Sequence, residues 1–164
     1  KYSKGKIIIT LDGDGQNDPA DIPKMLKVFE NKKVTDLVIG NRVNRNDKAS
    51  KRLASRLAFF IRRLLLKDRV PDTGCGLKIF YRSTFIELPY FDHIHRFMPF
   101  LFSMHGGKIY SVEVNHRKRV QGKSKYTNFQ RFKVGIFDLI GVMWLLARSP
   151  FPILFKKSNS SKNK

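Results

Sequence analysis

KIIITLDGDGQNDPADIPKML, residues 6–26, decides the fold. Its first six residues, KIIITL, are a β-branched run too short for a helix, and read as a buried strand of the parallel-sheet kind. The run ends in an acidic loop where Asp12 and Asp14 flank Gly13. Asp18 and Asp21 precede Pro23 and the helical pattern Met25-Leu26, Val28-Phe29, so one of them is expected to cap that helix. DLVIG, residues 36–40, is a second short strand ending at glycine. Strand, helix and strand within about 35 residues predict a βαβ unit, with a right-handed crossover and a parallel pair of strands.

In extended chain, residues i and i+2 face the same way, so Asp12 and Asp14 can aim both carboxylates at one point while Gly13 admits close approach. Two convergent hard oxygen ligands suit Mg²⁺ or Mn²⁺, and the carboxyl end of a parallel strand is where α/β sheets bind ligands. An EF-hand is excluded by spacing: the sixth position, which needs Gly, is Asn17, and the twelfth, which needs Glu, is Pro23. The D-x-D alone is equally compatible with a polar turn whose aspartates only cap backbone.

Further along, residues 50–67 place Leu53, Leu57, Phe60, Ile61, Leu64 and Leu65 at helical spacing, with Lys51, Arg52, Arg56, Arg62 and Arg63 largely on the other face. DTGCG at 72–76 is a turn, LKIFY at 77–81 a strand and 82–88 a short helix before Pro89. Residues 97–105 read as helix stopped by Gly106-Gly107, and 108–114 alternate as a strand. HRKRVQGKSKY at 116–126 is a basic loop. The last element, 129–155, is helix until Ser149-Pro150 and Pro152 interrupt it, and KKSNSSKNK is expected to be disordered.

The chain has 164 residues, enough for one domain with a real core, and its 41% hydrophobic content argues against disorder. Lys and Arg number 33 against 13 Asp and Glu, a formal net charge of +20. Such a surface attracts phosphates: nucleic acid, anionic lipid or phosphorylated metabolites. The single cysteine, Cys75, cannot form an internal disulfide, and no Cys/His cluster has zinc spacing. A strand within six residues of Lys1 and the lack of an initiator Met read as a chain entered in mid-domain.

LDGDGQNDPADIPKML resembles the D-x-D segment of inverting family-two glycosyltransferases of the GT-A fold, in particular the polyprenyl-phosphate glycosyltransferases similar to dolichol-phosphate mannosyltransferase. VIGNR (38–42), DTGCGLKIFYR (72–82), ELPYFDHIHRF (87–97) and HRKRVQGKSKY (116–126) resemble the same family in the same order. The resemblance covers roughly residues 6–147. It implies an α/β fold: a Rossmann-like, mostly parallel sheet flanked by helices, with the N-terminal strands of the family missing and an amphipathic helix at the C-terminus. Three parts are expected: a partial GT-A catalytic domain over 1–130 from the resemblance, and from composition a membrane-interfacial helical segment over 131–155 and a disordered basic tail over 156–164.

The family's reaction moves a sugar from a nucleotide diphosphate to the phosphate of a long isoprenoid lipid. By motif position the resemblance implies Asp12 and Asp14 as metal and diphosphate ligands, with Gln16 beside them and Asp72 shaping the donor site. Arg119, Ser124 and Lys125, with neighbouring Arg117, match the family's R-x-x-G-x-S-K and imply an acceptor-phosphate loop. Arg52 and Ser55 fall where the family also recruits acceptor-phosphate ligands, although Lys51 or Arg56 fits that register too. Asp92 and His95 fall in the segment of acceptor-side or base residues, and a helix-end histidine bonded to backbone is the plainer reading of His95. Cys75 reads as a packed residue, since the reaction needs no thiol.

A lipid acceptor is met at a bilayer. VGIFDLIGVMWLLA (134–147) is apolar, but Asp138, Arg148 and the prolines leave too short a run to span, so an interfacial helix facing anionic headgroups is expected. The expected partners are therefore a nucleotide sugar, a polyprenyl phosphate and an anionic membrane surface, with the protein peripheral on its cytoplasmic face. The rival class is a basic nucleic-acid-binding module. It would want aromatics interleaved with basic residues, whereas most of the 14 Phe lie in apolar patterns and no standard motif occurs, so nucleic acid is not an expected partner. An inactive membrane-binding fragment is the third reading.

Overall fold

The computed structural model describes residues 2–31, 36–43, 49–66, 70–117 and 128–148, without the side chains of 49–55, 58 and 128–133. The apolar runs identified above become strands β1 (Ile7–Thr10), β2 (Leu37–Arg42), β3 (Lys78–Tyr81) and β4 (Ile109–Val114). The helices are α1 (Ile22–Asn31), α2 (Ala49–Leu66), α3 (Arg82–Ile86), α4 (Met98–Met104) and α5 (Asn128–Arg148), with 3-10 turns at Pro19–Asp21 and Ile94–Arg96.

The sheet order is β1-β3-β2-β4. β3 runs antiparallel to both neighbours, pairing Ile8 with Phe80 and Val38 with Ile79, while β2 and β4 are parallel. β1, β2 and β4 therefore point the same way, and the fold is α/β with a mixed sheet flanked by helices, two of the three described strand pairings being antiparallel. The parallel β1–β2 pair predicted from the βαβ spacing does not form. β3 stands between them because Ile79 and Phe80, both buried, serve opposite faces of the sheet, which is the requirement of a central strand.

Each face of the sheet has its own core. On one, Met25 and Phe29 of α1 pack with Val38, Cys75, Leu77, Ile79 and Val114. On the other, Leu37 and Phe80 meet Met98, Phe100, Leu101 and Phe102 of α4, Leu66 of α2 and Val142 of α5. Phe29 and Phe102 are fully buried. Each such side chain contributes about 2–3 kcal/mol through removal of its apolar surface from water.

The cap before α1 is Asp18, whose Oδ1 accepts from Ala20 N at 2.9 Å and so starts the 3-10 turn that leads into the helix. Asp21 is buried and accepts from Asn115 N at 2.7 Å, tying the head of α1 to the end of β4. α5 is continuous to Arg148. The expected break at Ser149-Pro150 and the basic tail lie outside the described residues. Among the described residues, no helix is long and apolar enough to cross a membrane.

Candidate active site

Because β1, β2 and β4 share a direction, their carboxyl ends share one edge of the sheet, and the reversed β3 brings its amino end, preceded by DTGCG, to that same edge. Asp12 and Asp14 follow β1, Arg42 ends β2, Asp72–Gly76 and Lys78 lead into β3, and His116 and Arg117 follow β4. Such an edge is where an α/β sheet leaves backbone groups and loops free to hold a ligand.

The acidic turn is fastened to the DTGCG turn. Thr10 Oγ1 donates to the Gly76 carbonyl at 2.7 Å, and Asp12 lies so close over Gly76 that any Cβ there would overlap its carboxylate. Gly76 is therefore the space Asp12 occupies. Asp14 Oδ1 accepts from Gln16 N at 3.1 Å, closing a tight turn around Gly15, whose φ of 73° is one that glycine adopts without strain. Asn17 is buried beneath, its Nδ2 without a hydrogen-bond partner among the described residues.

A layer of charge supports this turn. Asp72 accepts from Arg42 Nε at 2.6 Å and from its second guanidinium nitrogen at 2.8 Å, a bidentate pair, and from Arg42 N at 3.3 Å. Both side chains are largely buried. Lys78 is buried and donates to the Cys75 carbonyl. Burial pushes the Lys78 ammonium below its ordinary pKa, opposed by Cys75 and by the carboxylates of Asp12 and Asp72. Burial likewise raises the Cys75 thiol, which suits a packed side chain and not a nucleophile.

The root of the basic loop is joined to the acidic turn. Asn17 and His116 form an antiparallel bridge, Arg117 N donates to Gln16 O at 2.9 Å, and Gln16 Nε2 lies 3.3 Å from His116 Nε2. The Arg117 guanidinium sits 2.6 Å from Asp18 Oδ1. Asp18 is held below the usual carboxylate range by the Ala20 amide, aided by Arg117 and Lys24 against partial desolvation.

His95 belongs to the loop between α3 and α4. It keeps contact with solvent, yet desolvation lowers its pKa, as do the charges of Lys78, Arg96 and His93, against a raising contribution from Asp12. His95 is thus within electrostatic reach of the acidic turn. Asp92 is exposed at the same loop and its Oδ1 accepts from His93 N at 2.9 Å.

The structure brings Asp12, Asp14, Gln16, Asp72, His95 and Arg117 to one region. Asp72 is engaged by Arg42, a structural partner, and Arg117 by Asp18. Arg119, Ser124 and Lys125 lie outside the described residues, as do the side chains of Arg52 and Ser55. Arg42, Lys78 and His116 were not singled out from sequence for any role. Arg42 stood inside VIGNR, and a lysine at the head of an apolar strand was the available signal for Lys78.

Among the described residues, no three carboxylate, imidazole or thiol side chains cluster as a cage for a metal ion. The donor set fits a different kind of site. Mg²⁺ and its relatives keep several waters and take one or two protein carboxylates plus substrate phosphates, which is what Asp12 and Asp14 offer.

The model of "Glycosyl transferase family 2" matches residues 1–88. A dodecaprenyl-phosphate galacturonate synthase of Rhizobium johnstonii is 34% identical over 147 residues, covering 88% of this chain and 43% of the relative. An undecaprenyl-phosphate 4-deoxy-4-formamido-L-arabinose transferase of Pseudomonas fluorescens is 32% identical over 140 residues, covering 85% of this chain and 40% of the relative. The chain thus spans less than half the length of these relatives. In fold it is similar to glucosyl-3-phosphoglycerate synthase of Mycobacterium tuberculosis, solved with Mn²⁺, UDP-glucose and glycerol 3-phosphate. The TM-score is 0.62 at 15% identity, over 92% of this chain and 52% of that one.

Proposed function

The chain belongs to glycosyl transferase family 2, and on that premise we propose that it forms part of an inverting transferase moving a sugar from a nucleotide diphosphate to a polyprenyl phosphate, for cell-envelope glycan synthesis. The observation that carries the reading is the bridge between Asn17 and His116, with the Arg117–Gln16 bond beside it. It sets His116 and Arg117, from which the R-x-x-G-x-S-K segment continues, against the acidic turn, which supports a reading in which cations of that segment and carboxylates of the turn serve one reaction. That is what two phosphates approaching each other through a sugar require: cations for the acceptor and a carboxylate-bound ion for the donor.

Asp12 and Asp14 would hold Mg²⁺ or Mn²⁺, which when bound would neutralise charge on the leaving diphosphate. Gly76 and Thr10 fix Asp12, and Gln16 backs the turn. An acceptor phosphate oxygen forms the new bond to the anomeric carbon as the bond to the diphosphate breaks, and the electron pair leaves with the diphosphate. The acceptor is already ionised at pH 7, so no strong base is needed. Asp92 and His95 orient it, and Arg117, Arg119, Ser124 and Lys125, with Arg52 and Ser55 of α2, bind its phosphate.

Exposed apolar stripes fit a lipid-borne acceptor. Ile136, Phe137, Ile140, Met143 and Trp144 line the outside of α5, and Leu57, Phe60 and Leu64 the outside of α2, against which α5 packs. A peripheral seat on the anionic cytoplasmic face of a membrane would cover both.

The test is transfer by the complete protein from a panel of nucleotide sugars to undecaprenyl phosphate, with and without chelator and with Asp14→Asn. Loss of transfer in both cases is expected, and transfer surviving both overturns the reading. Tight, salt-sensitive binding of DNA unaffected by polyprenyl phosphate would favour a nucleic-acid module instead.

A further inference from the structure

On α5, residues 138, 142 and 145 follow helical spacing along one side, and Val142 is buried while Leu145 packs on the core. Ile136, Phe137, Ile140, Met143 and Trp144 face outward. Asp138 therefore occupies a core-facing row, in a helix otherwise apolar over 134–147, where a carboxylate is costly unless cations meet it. Its side chain is 15% exposed, and its Oδ2 is buried without a well-formed hydrogen bond. Two groups face that oxygen: His93 Nδ1 at 3.3 Å and an Arg96 guanidinium nitrogen at 3.7 Å. Both come from the loop that carries Asp92 and His95.

His93 is also the one non-glycine residue with positive φ, 60°, among the described residues. Few non-glycine residues occupy that region, histidine more readily than most, and local contacts help to hold it there. Its N–H donates to Asp92 Oδ1 at 2.9 Å, its ring lies edge-on to that of His95 with centroids 6.2 Å apart, and its Nδ1 faces Asp138. One residue thus touches α5, Asp92 and His95.

We propose that Asp138 is a positioning residue: through His93 and Arg96 its carboxylate holds the loop 91–97 in the shape that presents Asp92 and His95 to the acceptor side of the site. The assignment rests on the function proposed above for its catalytic consequence, though not for its structural one. Because the opposite face of α5 is the one that meets lipid in that reading, seating of the helix and shape of the loop are linked through one carboxylate.

The test uses the complete protein with Asp138→Asn, Asp138→Glu, His93→Ala and the double Asp138→Asn/His93→Ala. The amides of Ile94, Arg96 and Phe97, bonded to the carbonyls of Phe91, His93 and Ile94, report the loop by hydrogen exchange. Asp138→Asn is expected to speed their exchange about tenfold while the β2 amides stay protected, since the opening is local. In the transfer assay kcat falls about tenfold with donor KM unchanged, Asp138→Glu recovers part of it, and the double variant is no worse than the more damaging single one. Unchanged exchange at 94–97, or single effects that multiply in the double variant, overturns the proposal. If Asp138→Asn does not fold, His93→Ala, at a partly exposed side chain, carries the same exchange criterion. If the wild-type protein transfers no sugar, the proposed function fails and the exchange result still decides this assignment.

Discussion

Replacing Asp72 by Asn separates scaffold from substrate contact. Asp72 receives two guanidinium hydrogen bonds and one backbone hydrogen bond from Arg42, and both side chains are mostly out of solvent. Removing one charge of a buried pair leaves the other uncompensated, at a cost of roughly 3–5 kcal/mol. Asn keeps one acceptor oxygen and the shape, so its loss belongs at the low end, about 3 kcal/mol, a large part of a typical 5–15 kcal/mol stability. Urea denaturation of the complete protein, followed by circular dichroism, measures it as a lower midpoint at unchanged slope. Asp72→Leu should cost more than Asn. Asp72→Leu with Arg42→Met should recover most of that loss, because an apolar pair of similar volume replaces a buried ion pair nearly neutrally. A change below about 0.5 kcal/mol in Asp72→Asn, with donor KM raised tenfold or more, would refute the scaffold argument and make Asp72 a donor ligand.

Gly76→Ala should lower transfer by at least about tenfold, measured by initial rates, because the new methyl displaces Asp12 from its seat and small misplacements of catalytic groups are expensive. His95 has a native pKa below the unfolded 6.5, so its neutral form stabilises the fold above pH 6.5 and that contribution is lost as pH falls through the lowered value. Urea midpoints at pH 7.5 and pH 5 should therefore drop less in His95→Gln than in wild type. Ile140→Glu together with Trp144→Glu, both at exposed positions, should abolish co-sedimentation with anionic vesicles and leave thermal stability of the core nearly unchanged.

The elements were legible because periodicity is local. Residues 50–67 read as a helix and α2 runs Ala49–Leu66; 108–114 read as a strand and β4 runs Ile109–Val114. Sheet order was not, since nothing local to residues 6–40 says that the strand 78–81 will stand between the first two. Within the site, Asp12 and Asp14 were legible from spacing and from the family resemblance. Arg42 and His116 were not, because their meaning depends on partners 30 and 100 positions away, Asp72 and Gln16, and Lys78 was not, because its burial is a property of the folded chain. Asp138 was read from sequence as an interruption of an apolar run, when it is the polar member of the face turned inward.

The reversed central strand imposes an order on synthesis. The acidic turn is emitted first, yet its fastening, Thr10 to Gly76, spans 66 positions, and β1 pairs with no described strand except β3. At ordinary translation speeds of about 5–20 residues per second, roughly 3–13 seconds pass on the ribosome before that partner is made. Throughout that interval Ile7–Thr10 lacks its β3 pairing and Thr10 its Gly76 acceptor, so completion of the carboxylate site is coupled to the emergence of the DTGCG turn.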